Sequence, residues 1–64
     1  MATQLRTIKK IAAKNDVRVS TEKDRDGDRV VVLHGFLSDI EAVERQVNGY
    51  HSRRRNDGVV LEKW

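Results

Sequence analysis

A turn, a continuous apolar run and a helix start follow one another closely, and this succession constrains the fold more than any other feature. Residues 24–28 read Asp-Arg-Asp-Gly-Asp, and Asp-Gly is a strong signal for a tight hairpin turn. The next segment, 30–33, is Val-Val-Val-Leu, which is typical of a strand buried on both faces or of a central strand with one face only partly covered. Ser38 and Glu41 then have the spacing of a capping box, which favours a helix start. The segment therefore predicts the second strand of a hairpin leading into a helix.

The residues before this segment predict a helix and the first strand of the hairpin. Apolar residues recur at steps of three and four from Leu5 to Ala12, which predicts a helix over 3–14. Thr3 is the expected cap of its first turn, and Asn15-Asp16 the expected stop. Alternating valine and polar residues over 17–23 predict a strand that pairs antiparallel with 29–34.

The residues after it predict a long second helix and one last strand. Leu37 is expected to pack against Ala42 as a hydrophobic staple at the helix start. Asn48-Gly49 is one candidate end of this helix, but the apolar stripe from Ile40 to Tyr50 favours a helix that continues past Gly49 to about Arg53. Asn-Asp-Gly at 56–58 is a turn, and 59–64 is the third strand.

These elements predict one α+β domain over residues 1–64, an α/β two-layer sandwich. The order is α-β-β-α-β, with no internal repeat evident. A right-handed crossover through the second helix makes the third strand parallel to the second. We therefore expect a three-stranded mixed sheet of order 1-2-3 with two helices on one face.

Size and composition limit the class of protein. A chain of 64 residues buries a modest fraction of its surface, so stability depends on tight packing or on a partner chain. The chain has no cysteine, which excludes disulfides and thiolate metal sites and favours the reducing cytoplasm. No stretch approaches the roughly 20 apolar residues of a membrane span, so we expect no membrane association.

Positive charge is concentrated in two blocks. The net charge is +3, yet residues 1–15 and residues 45–55 each contain four basic residues and no acidic one. If the helices run antiparallel, the end of the second helix lies near the first, and the two blocks form one basic surface that attracts phosphates or an acidic protein surface. The leading hypothesis is a small nucleic-acid-binding protein, for DNA or RNA, with contacts from Arg6, Lys9, Lys10, Lys14, Arg53, Arg54 and Arg55.

A protein–protein interaction module is the alternative. A three-stranded sheet covered on one face leaves apolar residues of its central strand on the other, and such a face suits a partner protein, an edge-pairing strand or a homodimer. The protein would then be a small inhibitor or adaptor. The residues expected at that contact are Val31, Leu33, Val60 and Trp64. The hairpin register decides which of them point outward, so the two hypotheses stay open.

The residues that carry catalytic or metal chemistry elsewhere lack the required spacing here. Asp24, Asp26 and Asp28 resemble the start of a calcium loop, but the sixth and twelfth positions are Arg29 and Gly35 rather than glycine and glutamate. The two histidines are not spaced as metal ligands, and His34 is expected to be a hydrogen-bonded residue at a strand end. We therefore expect no enzyme activity, no metal and no cofactor.

Overall fold

Residues 3–63 fold as two helices and a four-stranded antiparallel sheet. The computed structural model describes residues 3–63. The elements are α1 (Leu5–Lys14), β1 (Arg18–Lys23), β2 (Arg29–His34), α2 (Leu37–Glu44), β3 (Tyr50–Arg55) and β4 (Gly58–Lys63). The strand order is β1-β2-β4-β3, and every neighbouring pair is antiparallel. The predicted α+β class is confirmed, whereas the three-stranded mixed sheet is wrong.

The body and the end of α1 are confirmed. Ile8 and Ala12 are buried, as the apolar stripe predicts. The amide side chain of Asn15 donates to the Ile11 carbonyl at 2.8 Å, and Asp16 adopts the left-handed φ of 58° that ends the helix. The predicted cap is wrong, because Thr3 instead exchanges hydrogen bonds with Asn48 in the segment between α2 and β3.

The β1–β2 hairpin is confirmed and its turn is organised by Asp24. One carboxylate oxygen of Asp24 accepts hydrogen bonds from the backbone amides of Asp26 and Asp28, at 2.9 and 2.8 Å. Gly27 supplies the positive φ of 83° that this turn needs. The register opposes Ser20 to Val32.

The predicted second helix is wrong at both ends. Phe36 is the N-cap residue, no side chain caps the helix, and α2 ends at Glu44 rather than near Arg53. Gly49 has a φ of 83°, which is incompatible with a continuing α-helix. Tyr50 therefore begins a strand, and the three arginines lie on β3 instead of at a helix end.

This extra strand changes the sheet topology. Asn56 and Asp57 form a two-residue turn between β3 and β4, with Arg55 opposite Gly58. After α2 the chain runs along β3 and turns back into β4. This additional turn makes β4 antiparallel to β2, its neighbour in the sheet. The predicted parallel crossover and the order 1-2-3 are both replaced by this arrangement.

The four-stranded fold contains a short repeat. The order α-β-β occurs twice. Val31-Val32-Leu33 of β2 has the same sequence as Val59-Val60-Leu61 of β4, and the two segments pair antiparallel about Val32 and Val60. A two-fold rotation about that central pair therefore exchanges the two segments.

The core lies between the sheet and both helices. Its buried residues come from α1, α2, β2, β4 and the start of β1: Ile8, Ala12, Val17, Val31, Leu33, Ile40, Val43, Val59 and Leu61. The prediction that both helices cover one face is confirmed. A second small cluster, Val30, Val32 and Val60, lies on the other face, which we call the open face.

Candidate nucleic-acid surface and the arginine edge strand

The outer face of α1 presents four cations. Because Ile8 and Ala12 point into the core, the residues half a turn away point outward. Arg6, Lys10 and Lys14 follow one another at steps of four residues, Lys9 lies beside them, and all four are exposed. We call these four side chains the α1 basic face.

The α1 basic face has no acidic counterpart. The helix contains no aspartate or glutamate. Within residues 3–63, the four cations form no ion pair, whereas each arginine of β3 does. Like charges at steps of three and four repel one another, so a polyanion at this surface relieves a repulsion as well as forming new contacts.

The three arginines of β3 are separated from the α1 basic face. Successive strand residues point to opposite faces, so Arg53 and Arg55 lie on the open face and only Arg54 lies on the helix side. Arg54 is held there by Glu41 of α2, at 3.6 Å. Because Arg53 and Arg55 lie on the face opposite α1, the seven predicted contact residues do not form one surface.

Arg55 is the most strongly paired of the three. It forms a bidentate pair with Glu22 at 2.9 Å for both nitrogens, and it also donates to the Asp57 carboxylate at 2.7 and 2.9 Å. Glu22 is on β1, so this contact joins the two edges of the sheet. Hydrogen bonds from Arg55 lower the pKa values of Glu22 and Asp57, and the two carboxylates raise the pKa of Arg55.

His34 fixes the β3–β4 turn from the end of β2. Its Nδ1 lies 2.8 Å from the Asp57 carbonyl and its Nε2 lies 2.9 Å from the Ser20 hydroxyl. A carbonyl only accepts, so Nδ1 donates the hydrogen bond to Asp57. The prediction of a hydrogen-bonded histidine at a strand end is confirmed.

The open face is not bare. Val30, Val32 and Val60 are each at most 8% exposed. The charged side chains of Glu22, Arg53, Arg55 and Glu62 line the surface beside Val30 and Val60. The long side chains of the edge strands therefore cover the apolar centre, as the stems of arginine and glutamate do on many protein surfaces.

The residues proposed for partner contact are not available on that face. Val31 and Leu33 point toward the helices and belong to the core. Val60 points to the open face but is buried there. Trp64 lies outside the described residues. A substitution at Leu33 is therefore expected to unfold the chain rather than to report on a partner.

Exposed apolar side chains instead occur at the start of α2. Phe36 is 81% exposed and Leu37 is 43% exposed. The exposure of Leu37 argues against the predicted staple, in which its side chain would pack against Ala42. An aromatic residue directly before a helix start was the only sequence signal for this feature. The exposed pair lies beside the space between α2 and β3, where Leu37 lines a cavity.

Two cavities follow the helix side of β3. One, of about 220 Å³, is lined by Glu44, Val47, Tyr50, Ser52 and Leu61. The other, of about 360 Å³, has Leu37, Ile40, Arg54 and Val59 among its lining residues. Both lie between α2 and the edge strand, so we call them together the α2–β3 groove.

The acidic turn has a structural role. Carboxylate oxygens of Asp24, Asp26 and Asp28 lie within 4.8 Å of one another. One oxygen of Asp24 is already occupied by two backbone amides, as the turn geometry requires. The cluster is explained by the hairpin.

Comparison with protein-family models, with curated proteins and with solved structures finds no match to this chain. Neither helix among residues 3–63 has the length and apolar character needed to cross a bilayer. The fold belongs to the α+β class.

Proposed function

We propose that this protein is a non-enzymatic nucleic-acid-binding module that contacts the phosphate backbone through the α1 basic face. The observation that carries the proposal is that four exposed cations share one helix with no acidic residue and form no ion pair in residues 3–63. Arg53, Arg54 and Arg55 do not share this property, because each pairs with a carboxylate. The proposed site therefore contains only four of the seven basic residues that the sequence predicts.

The spacing of the α1 cations suits a phosphate backbone. Residues four apart on a helix are separated by about 6 Å along its axis. Each strand of duplex DNA carries one negative charge per about 3.4 Å of its axis, so regularly spaced cations on one helix face meet a dense field of phosphates. Such contacts fix position without reading sequence, and we expect weak sequence selectivity. The absence of cysteine is consistent with a reducing cytoplasm as the place of action.

The salt dependence of binding to a short DNA duplex tests this function. The double variant Lys10→Ala with Lys14→Ala removes two exposed cations and keeps helix-forming residues. We expect the slope of log K against log salt to fall by about 1.8, since each lost phosphate contact contributes about 0.9. Fluorescence anisotropy over a salt series measures it.

A matched variant removes the same charge from β3. Arg53→Ala with Arg54→Ala changes the net charge equally but releases carboxylates that were already paired. We expect it to change the slope by less than half as much. Binding that is independent of salt, or an equal loss in both variants, contradicts the proposal.

A further inference from the structure

β3 is an open edge of the sheet. Among residues 3–63 it pairs with β4 on one side and with no strand on the other, so it presents backbone donors and acceptors to a further strand. Each arginine of β3 already has a carboxylate partner within the chain, so charge alone selects no outside ligand for this edge. What pairs with it follows from its free backbone groups and from the side chains beside them.

The hydrogen bonds of the neighbouring strands determine which backbone groups of β3 are free. In an antiparallel sheet the N–H and C=O of one residue point to the same neighbouring strand, and successive residues alternate between the two neighbours. The Asp24 amide donates to the Asp28 carbonyl across the first hairpin. When this alternation is followed through the registers of the sheet, the odd-numbered residues of β3 face β4 and the even-numbered ones face outward. The outward positions are Tyr50, Ser52 and Arg54.

The free edge ends just before β3. Asn48 has the same outward parity, but its amide donates to the Thr3 hydroxyl and its carbonyl accepts from the Thr3 amide. A strand that adds to this edge therefore has only the outward positions of β3 itself to pair with.

One antiparallel register of two β3 strands pairs all of these outward positions. Centred on Ser52, it places Tyr50 opposite Arg54 of the second copy, twice by symmetry. It forms about six backbone hydrogen bonds between the copies. In this register Arg53 lies opposite His51, so no arginine faces another. A register centred on Arg53 instead would place this residue opposite its own copy, which like charges disfavour.

The side chains beside the edge are complementary in the register centred on Ser52. Glu44 and Tyr50 line the cavity of about 220 Å³ in the α2–β3 groove, and Glu44 forms no ion pair within residues 3–63. Arg54 is 70% exposed and its pair with Glu41 is long, at 3.6 Å. Opposite residues of a hydrogen-bonded pair lie about 5.5 Å apart and point to the same face. Arg54 of a second copy therefore lies beside Tyr50 and within reach of Glu44.

We propose that the protein forms a two-fold symmetric homodimer in which the two β3 edges pair about Ser52 and join the two four-stranded sheets into one. Arg54 of each copy packs on the ring of Tyr50 and pairs with Glu44 of the other copy. The chain carries both halves of this contact, as a self-complementary interface requires. A chain of 64 residues also gains buried surface from such a partner.

The homodimer is independent of the proposed nucleic-acid surface. The dimer contact uses β3 and the α2–β3 groove, whereas the proposed function uses the outward side chains of α1. The variant Lys10→Ala with Lys14→Ala should therefore leave the dimer dissociation constant within about twofold of the parent value, since rim charges outside an interface contribute little. Failure of either proposal leaves the other intact.

A proline at the centre of the edge tests the pairing. Ser52→Pro removes both hydrogen bonds at the two-fold axis but none to β4, so we expect the dimer dissociation constant to rise about tenfold or more. Thr21→Pro is the matched control, because Thr21 has the outward position on the other edge strand, β1. Sedimentation equilibrium over a concentration series measures the dissociation constant, and the parent should reach twice the mass of the 7.4-kDa chain.

A charge exchange tests the side-chain contact without relying on proline. Glu44→Arg alone and Arg54→Glu alone each place like charges in both contacts of the dimer, so each variant should dimerise about tenfold more weakly or worse. An equimolar mixture of the two variants restores opposite charges in both contacts. We expect the mixture to form a heterodimer with about the parent affinity, which a mere loss of folding in either variant would not give.

Hydrogen exchange of the parent chain reports the pairing directly. The outward amides of Tyr50, Ser52 and Arg54 should gain protection as the concentration rises, whereas the amides of His51 and Arg53 are protected by β4 at every concentration. A chain that stays monomeric at millimolar concentration overturns the proposal. So does a dimer that Thr21→Pro disrupts and Ser52→Pro leaves intact, or a mixture of the charge variants that forms no heterodimer.

Discussion

Gly58 begins β4 at a point where its backbone lies close to the Leu33 carbonyl of β2. A Cβ atom at this position would lie 2.3 Å from the carbonyl oxygen of Leu33, and the backbone has a φ of +154°. Both facts exclude any side chain without movement of the two central strands. Gly27 has a positive φ as well, but a Cβ there would meet no atom within 4 Å.

Gly58→Ala is therefore expected to destabilise the fold by roughly 3 kcal/mol, from backbone strain together with the steric clash. Gly27→Ala introduces backbone strain without a steric clash, so it should lower the free energy of unfolding by about 1 kcal/mol. Urea unfolding followed by circular dichroism measures both. Equal costs at the two positions would show that β2 and β4 do not make this close approach.

The ion pairs of Arg55 make the stability of the sheet depend on pH. Its hydrogen bonds lower the pKa values of Glu22 and Asp57 from ordinary values of 4.5 and 3.8. A pKa that folding lowers gives stability that is complete above the ordinary value and is lost as pH falls through the folded value. The free energy of unfolding should therefore decline below about pH 4.5.

The variant Arg55→Gln keeps most of the aliphatic stem but removes the charge. We expect it to be less stable than the parent at pH 7, and to lose less further stability between pH 5 and pH 2. Arg53→Gln is the matched control, since Arg53 has a single ion pair of 3.4 Å. Parallel stability curves for the parent and Arg55→Gln would contradict the role assigned to this network.

At the scale of elements, α2 begins without a capping side chain. Phe36 occupies the N-cap position with a φ of −69° and a ψ of 141°, and it is largely exposed. Ser38, which the sequence predicts to be the cap, is instead the second residue of the helix. The first backbone amides of α2 therefore have no side-chain acceptor among the described residues.

Phe36→Asp supplies that acceptor and places a negative charge at the positive end of the helix dipole. We expect stabilisation by about 0.5–1 kcal/mol. Ser38→Ala should change stability by less than about 0.5 kcal/mol, since its hydroxyl caps nothing. Thermal unfolding measures both. If Ser38→Ala lost more stability than Phe36→Asp gained, the result would show that Ser38 caps α2, as the sequence predicts.

The elements that the sequence predicted correctly are those with local signals. The stripe from Leu5 to Ala12 specifies α1, and Asp-Gly at 26–27 specifies the first hairpin. The α1 basic face follows from the same periodicity, since residues opposite a buried stripe must be exposed.

The elements it missed depend on distant contacts. Tyr50 continues the helical spacing of Ile40 and Val47, yet its hydroxyl donates to the Thr3 carbonyl and its backbone pairs with Lys63. β3 contains no alternation of apolar residues that would indicate a strand. The carboxylates that pair with its arginines come from β1, α2, β4 and the β3–β4 turn. No local pattern contains that information.

At the scale of the whole molecule, the topology divides the positive charge between two surfaces. α1 carries cations that form no ion pair in residues 3–63, and β3 carries arginines that are tied to carboxylates. The repeated α-β-β order places one hairpin at each edge of the sheet, and the second hairpin carries Arg53 and Arg55 on the face opposite the helices. Each block is continuous in the sequence, but the α1 cations and the β3 arginines do not form one surface in the fold.

Titration of the ¹⁵N-labelled chain with a short DNA duplex tests this division most directly. The account predicts that the amide signals of residues 5–14 shift progressively with added duplex, and that those of residues 50–55 shift little. Large shifts in residues 50–55 with an unchanged α1, or no shift anywhere at low salt, would contradict it.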